Sequence, residues 1–129
     1  MLIIIGAIAV GISFYRYQIL LEYYTWRLQK ADNKYAENCE DDLTAIAPHV
    51  KNSMAQIYLK ESILMPHFSR VTIGEALAAT DNLYAERLFC NGLSSQSPQI
   101  IEASITNLDL MRSTACYDRI YKLRGKAKK

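Results

Sequence analysis

The chain has 129 residues, half of them hydrophobic, and a formal net charge of +2 at pH 7. This length and apolar content suit one domain with a single core. The charge is unevenly distributed, because residues 31–118 contain twelve acidic and six basic side chains, a net charge of −6. An acidic body argues against nucleic-acid binding, and three widely spaced cysteines exclude a cysteine-rich metal motif.

The first predicted element is an N-terminal helix that anchors the chain in a membrane. No charged residue occurs from Leu2 to Phe14, and apolar residues resume at 19–21 after Arg16. A spanning helix needs about 20 apolar residues, and an arginine near its end can extend its guanidinium group to the headgroups. The predicted anchor residues are Leu2, Ile3, Ile4, Ile5, Ile8, Val10, Ile12 and Phe14.

The residues after this segment are typical of a membrane–water boundary, where aromatic rings and basic side chains gather. The predicted interfacial residues are Tyr15, Arg16, Tyr17, Tyr23, Tyr24 and Trp26. A cleaved signal peptide is disfavoured, because it needs a basic start and a small-residue cleavage site. The remaining alternative is a buried helix of a soluble protein.

The flanking charges predict the direction of the anchor. Arg16, Arg27, Lys30 and Lys34 all lie on its C-terminal side, and no basic side chain precedes them. Positive flanks stay on the cytoplasmic side. We therefore expect a single-pass protein of a bacterial or mitochondrial inner membrane, with its C-terminal domain on the cytoplasmic or matrix side.

The remainder of the chain predicts helices alone. Apolar spacing indicates helices over 36–47 and 49–64, and Pro48 should end or kink the first of them at Ala47. A turn is expected at 65–68, before the next helix.

Clear start and stop signals define the third body helix. Thr72 and Glu75 have the spacing of a capping box, in which the hydroxyl and the carboxylate each satisfy a free backbone N–H. The helix should run to about Cys90, where Asn91 and Gly92 supply a left-handed stop.

The last helix should begin at Ser97-Pro98, run to about Leu123 and end at Gly125. Short loops favour antiparallel neighbours. The predicted fold is therefore all-α, a single-pass transmembrane helix followed by a small antiparallel helical bundle or helical-hairpin domain. Its parts are an anchor with a juxtamembrane extension (1–30), a helical domain (31–124) and a basic tail (125–129).

One disulfide is a candidate if the domain faces an oxidising space. Cys39 lies near the start of one helix and Cys90 near the end of the next, so an antiparallel hairpin would bring them together. Cys116 would then be free for an intermolecular bond. In a reducing compartment all three would behave as small hydrophobes.

The C-terminal end is strongly basic. Candidate contacts to anionic lipid or to an acidic partner are Arg119, Lys122, Arg124 and Lys126. The alternative is a solvated helix end whose charges suit the negative pole of the helix dipole.

No catalytic, metal or cofactor motif is present in the sequence. His49 and His67 form no ligand pattern, and the acidic run 40–42 is typical of a solvated helix face. We therefore expect a non-catalytic membrane-anchored subunit that scaffolds or stabilises a larger membrane complex of respiratory, secretion or motor type. Its expected partners are other membrane subunits and the lipid bilayer, without nucleic acid or small-molecule substrate. The alternative is a self-standing anchored module, such as a phage lysis or spanin-like protein or a small sensor.

Overall fold

The computed structural model describes the backbone of residues 2–30 and 33–127 and the side chains of residues 15–30 and 34–123. Within these ranges the chain is helical without strands, so the predicted all-α fold is confirmed. The helices are α1 (Leu2–Gln29), α2 (Asn33–Leu59), α3 (His67–Thr80), α4 (Asn82–Gly92), α5 (Pro98–Leu110) and α6 (Tyr117–Ala127).

Helix α3 is the centre of the domain and packs against α2, α4 and α5. Every residue from Ser69 to Leu77 is buried except Glu75. A helix that is buried on all sides has to satisfy its polar groups internally. Ser69 and Arg70 do so by donating hydrogen bonds to backbone carbonyls of neighbouring segments.

Helices α1 and α2 form an antiparallel hairpin. The ring of Tyr17 stacks on His49 at 4.0 Å, and at the other end the Arg27 guanidinium lies 4.4 Å from the ring centre of Tyr35. Between these contacts, Leu21 is buried against the domain. The second half of α1 therefore belongs to the same core as α2.

This packing corrects one part of the predicted anchor. Leu20 is half-buried and Leu21 is fully buried against the core, so neither extends the lipid-facing segment. The side chains of Leu2 to Phe14, which carry the anchor prediction, lie outside the described residues. Among the side chains that are described, no helix combines the length and apolarity needed to cross a bilayer.

Of the two outcomes predicted for Pro48, the kink is the one found. The helix continues to Leu59, and Val50 departs from helical geometry with φ −133° and ψ 26°. A proline inside a helix lacks the N–H donor and crowds the preceding turn, which explains the bend. The predicted turn at 65–68 is displaced, because the connection occupies 60–66 and α3 begins at His67.

The predicted start of the third body helix is wrong, because α3 has already made its first turn at Thr72. The Thr72 hydroxyl donates to the Phe68 carbonyl at 2.8 Å and is not a cap. The helix then breaks at Asp81, whose extended backbone reverses the chain and whose carboxylate accepts from the Tyr84 N–H at 3.2 Å. Tertiary packing around α3 outweighs the local capping signal.

The two longest predicted body helices also end differently from the prediction, at α4 and at α5. No glycine in the described ranges has positive φ, and α4 ends at Gly92 without a left-handed residue. Arg112 has φ 55°, and the N–H of Ser113 donates to the Leu108 carbonyl at 3.0 Å. This is a Schellman-type ending, so α5 stops at Leu110.

The segment predicted as the end of one long helix is therefore a separate element. Helix α6 begins at Tyr117 and runs through Gly125 to Ala127, so Gly125 does not terminate it.

Candidate interaction site

The outer side of α1 exposes large apolar side chains to solvent. Tyr15, Ile19, Tyr23 and Trp26 are 70%, 58%, 48% and 53% exposed. They are separated by four, four and three residues and therefore share one side of the helix. These four residues are called the aromatic face of α1 below.

Basic groups accompany the aromatic face. The Lys30 ammonium lies 4.8 Å from the ring centre of Trp26, and Arg27 donates a hydrogen bond to the Tyr23 hydroxyl at 3.0 Å. Arg16 is exposed beside them, and Glu22 is the one acidic residue between 15 and 30. The face therefore combines rings with a local excess of positive charge.

The structure separates the six predicted interfacial residues into two groups. Tyr15, Arg16, Tyr23 and Trp26 are exposed, whereas Tyr17 and Tyr24 are half-buried against the core. Burial raises the pKa of the Tyr24 hydroxyl, with a smaller contribution from the negative charge of Asp42. Helical spacing groups Tyr17 with Tyr24, because they are seven residues apart, two turns of a helix. The packing of α1 against α2 decides that this group is the buried one.

An open groove of about 430 Å³ lies between α1 and the second half of α2. Its lining residues include Gln18, Thr25, Gln56, Ile57 and Lys60. Gln18 is already engaged, since its amide donates to the Ser53 hydroxyl at 3.1 Å. The groove is lined by a mixture of polar and apolar side chains and lacks the paired nucleophile and base of an active site.

A carboxyl cluster joins α2 to the centre of the domain. Burial raises the pKa of Glu75 to about 7, and a hydrogen bond with the Glu40 carboxyl and the charges of Glu40 and Glu37 act in the same direction. Two neighbouring carboxyl groups of this kind share a proton near neutrality. Among the described side chains, no three His, Cys, Asp or Glu residues are grouped so as to hold a metal ion.

Replacing Glu75 with glutamine should flatten the dependence of stability on pH. The folded-state pKa of about 7 exceeds the ordinary value of 4.5, so the folded chain binds the proton more tightly than the unfolded chain does. The stabilisation is complete below the ordinary pKa and is lost as pH rises through about 7. The melting temperature of the wild type should therefore fall between about pH 5 and pH 8.

Circular-dichroism melting checks this prediction, with Glu102→Gln as the control because Glu102 is exposed on α5. E75Q should melt above the wild type at the alkaline end and close to it at the acidic end. Parallel pH profiles for E75Q and the wild type would contradict the assignment.

The disulfide differs from the predicted pairing. Cys90 is bonded to Cys116, with Cα atoms 6.0 Å apart, and Cys39 is a free buried thiol whose pKa is raised by burial. Cys116 is therefore not available for an intermolecular bond in this state.

The direction of α4 explains the wrong pairing. Tyr84 donates to the Asn52 side chain at 3.1 Å, and the ring of Phe89 lies 5.3 Å from that of Tyr58. The contact nearer the start of α4 is also the one nearer the start of this part of α2, so α4 runs parallel to the second half of α2. Cys90 is carried away from Cys39, which lies in the first half of α2.

Of the four basic C-terminal residues predicted as partner or lipid contacts, the structure describes the side chains of Arg119 and Lys122. Arg119 is exposed and donates to the Cys90 carbonyl at 3.2 Å, and Lys122 is exposed on α6. The side chains of Arg124 and Lys126 lie outside the described residues. Arg119 is thus partly used within the fold, where it supports the disulfide-linked connection between α4 and α6.

Comparisons with protein-family models, with curated proteins and with solved structures find no match to this chain. The assignment of function therefore depends on the residues and contacts described above.

Proposed function

We propose that this protein is a non-catalytic helical subunit that α1 anchors at a membrane and that scaffolds a larger membrane protein assembly of respiratory, secretion or motor type. The observation that carries the proposal is the continuity of α1, one helix from Leu2 to Gln29. Its first half has an uncharged sequence through Phe14. Its second half contributes Leu21 and Leu28 to the domain core. A segment held in lipid would thus position the domain rigidly.

Contacts along the second half of α1 support this rigid connection. Gln18 is tied to Ser53 on α2, and the Leu28 carbonyl accepts a hydrogen bond from the buried Ser69 hydroxyl at 2.7 Å. Both ends of this half are therefore fixed, one to α2 and the other to the central helix α3. Such a helix transmits its orientation to the domain instead of acting as a loose tether.

The disulfide supports an oxidising environment for the domain, contrary to the direction expected from the flanking charges. A Cys90–Cys116 bond persists in the periplasm or outside the cell and is reduced in the cytosol. We therefore propose that the domain faces an oxidising compartment. Denaturing alkylation of membranes with a mass-tagged maleimide tests this orientation. One modified cysteine per chain, at Cys39, is expected, whereas three would restore the cytoplasmic or matrix side.

The alternative is a self-standing anchored module, such as a phage lysis or spanin-like protein or a small sensor. That hypothesis predicts an exported domain, a disulfide and homo-oligomers through Cys116. The Cys90–Cys116 bond agrees with the predicted disulfide but removes the residue that covalent dimers need, so the recovery of partner subunits decides between the two hypotheses.

Membrane fractionation of matched variants tests the anchoring role. Ile8→Arg places a charge in the centre of the uncharged segment and should release the protein from alkaline-washed membranes, because charge at that depth is costly. The control is Ala79→Arg, on the exposed side of α3, which should remain bound. Retention of I8R at the level of the control would argue against a membrane anchor.

Affinity purification of the full chain in mild detergent tests the subunit role. Mass spectrometry should recover the same membrane proteins at fixed stoichiometry from repeated preparations. Recovery of this chain alone would favour the self-standing module.

A further inference from the structure

We propose that the aromatic face of α1 (Tyr15, Ile19, Tyr23 and Trp26) binds the headgroup region of an anionic lipid bilayer, so that α1 enters the membrane obliquely. This inference rests on the proposed membrane function and adds to it the surface that contacts lipid. It is independent of which proteins complete the assembly.

The position of the face on α1 is the first argument. The opposite side of the helix carries Tyr17, Leu21 and Leu28 and is occupied by the domain. The aromatic face is left uncovered, and it starts at Tyr15, the residue that follows the uncharged segment ending at Phe14. A surface continuous with a lipid-inserted segment has lipid as its nearest neighbour.

The chemistry of the face is the second argument. Tyrosine and tryptophan rings favour the boundary between acyl chains and headgroups, and cations next to them attract anionic phosphates. Lys30 lies beside Trp26, and Arg27 beside Tyr23. Three basic residues and one acidic residue between 15 and 30 leave a local charge of +2.

The length of the aromatic face is the third argument. From Tyr15 to Trp26 the helix rises about 16 Å at about 1.5 Å per residue, whereas each headgroup layer is only about 5–8 Å thick. An upright helix would therefore place only one end of the face in that layer. An oblique helix can keep Tyr15 and Trp26 among the headgroups together.

Tryptophan fluorescence distinguishes an oblique helix from an upright one. Trp26 is the only tryptophan of the chain. It follows Phe14 by twelve residues, so an upright helix would hold its ring about 18 Å beyond that residue, in water. An oblique helix keeps the ring among the headgroups. The fluorescence of Trp26 therefore measures this one surface.

The test uses the full chain reconstituted in phosphatidylcholine vesicles with about one-third phosphatidylglycerol. Phosphatidylcholine brominated near the headgroup should quench Trp26 by roughly twofold or more, and deep bromination should quench it less. Quenching should weaken when phosphatidylglycerol is omitted. Quenching that is the same in pure phosphatidylcholine would contradict the anionic specificity.

Matched variants separate the face from the rest of the surface. Ile19→Glu should reduce quenching, and Leu83→Glu, on α4 with a similar exposure of 68% against 58%, should leave it unchanged. Both side chains are exposed, so both variants should retain the wild-type helical circular-dichroism spectrum. Equal quenching in I19E and the wild type overturns the proposal.

Vesicle flotation measures membrane binding independently of Trp26 quenching and so distinguishes this proposal from the anchoring role. Unquenched Trp26 in protein that floats with the vesicles overturns the oblique contact and leaves the membrane anchor standing. Protein that does not float overturns both.

Discussion

Replacing Arg70 with methionine is expected to lower the free energy of unfolding by about 3 kcal/mol. Arg70 is 1% exposed and donates to the Tyr58 carbonyl at 2.5 Å and to the Ile63 carbonyl at 2.6 Å. These carbonyls lie at the C-terminal end of α2 and in the loop that follows it. Without the guanidinium group they are left without that partner, at a cost of about 1–3 kcal/mol for each buried group.

The cation itself makes a small net contribution to stability, because burial opposes its charge and lowers the pKa of Arg70. Geometry is therefore the main reason for an arginine at this position. A planar fork reaches two carbonyls on different segments, whereas a lysine ammonium is a single point of donation. Arg70→Lys should consequently lose most of the stability that Arg70→Met loses.

Urea unfolding of the full chain in a mild non-ionic detergent, followed by circular dichroism, measures the difference. Arg87→Met is the matched control, since Arg87 is exposed on α4, and it should stay within about 0.5 kcal/mol of the wild type. Equal midpoints for R70M and R87M would show that the buried hydrogen bonds contribute little.

Gly74→Ala is expected to destabilise the domain by about 2 kcal/mol, although alanine is the better helix former by about 1 kcal/mol. An added Cβ would lie 2.6 Å from both Cγ and Nδ2 of Asn107 and closer still to Oδ1. Asn107 is 1% exposed and cannot move aside easily. Its Oδ1 accepts from the Tyr58 hydroxyl at 2.7 Å, and its Nδ2 donates to the Val71 carbonyl at 3.0 Å.

A double-mutant cycle isolates this contact. Asn107→Ala removes the obstructing amide, so G74A should cost much less in that background, with a coupling energy of about 1–3 kcal/mol. Ala79→Gly on the exposed side of α3 measures the propensity term alone, at about 1 kcal/mol. Additive effects of G74A and N107A would place the strain elsewhere.

The two predictions concern one network at the centre of the fold. The Tyr58 hydroxyl binds Asn107 and the Tyr58 carbonyl accepts from Arg70, so one residue of α2 is linked to both α5 and α3. Burial raises the pKa of the Tyr58 hydroxyl well above its ordinary value, which keeps it a donor. No sequence motif marked these residues, because the three lie on different helices.

Local signals predicted the elements better than their ends. Helical periodicity predicted helix in each part of the domain that contains α2 to α6, but it joined α3 to α4 and α5 to α6. Ser97-Pro98 correctly marked the start of α5. The capping-box start at Thr72 failed, and the stop at Gly92 was right in position but not in its left-handed geometry. Both residues are buried in helix contacts, where packing decides. An added Cβ at Gly92 would meet the Ser104 hydroxyl, so close helix approach explains this glycine instead of a turn.

At the candidate interaction site, too, local sequence signals and tertiary packing decided different features. Composition alone marked the aromatic and basic residues after Phe14 as interfacial, but the structure assigns Tyr17 and Tyr24 to the core side and leaves Tyr15, Tyr23 and Trp26 outward. The carboxyl cluster at Glu75 was not found, since its partner Glu40 is on another helix.

The sequence by itself determined the all-α class, the uncharged N-terminal segment and the aromatic and basic residues that follow it, because periodicity and charge are local properties of the chain. Tertiary structure alone decided which cysteine Cys90 binds and which side of α1 stays exposed. Both depend on the break at Asp81 and on the packing of α1 against α2, which set helix directions that no local pattern encodes.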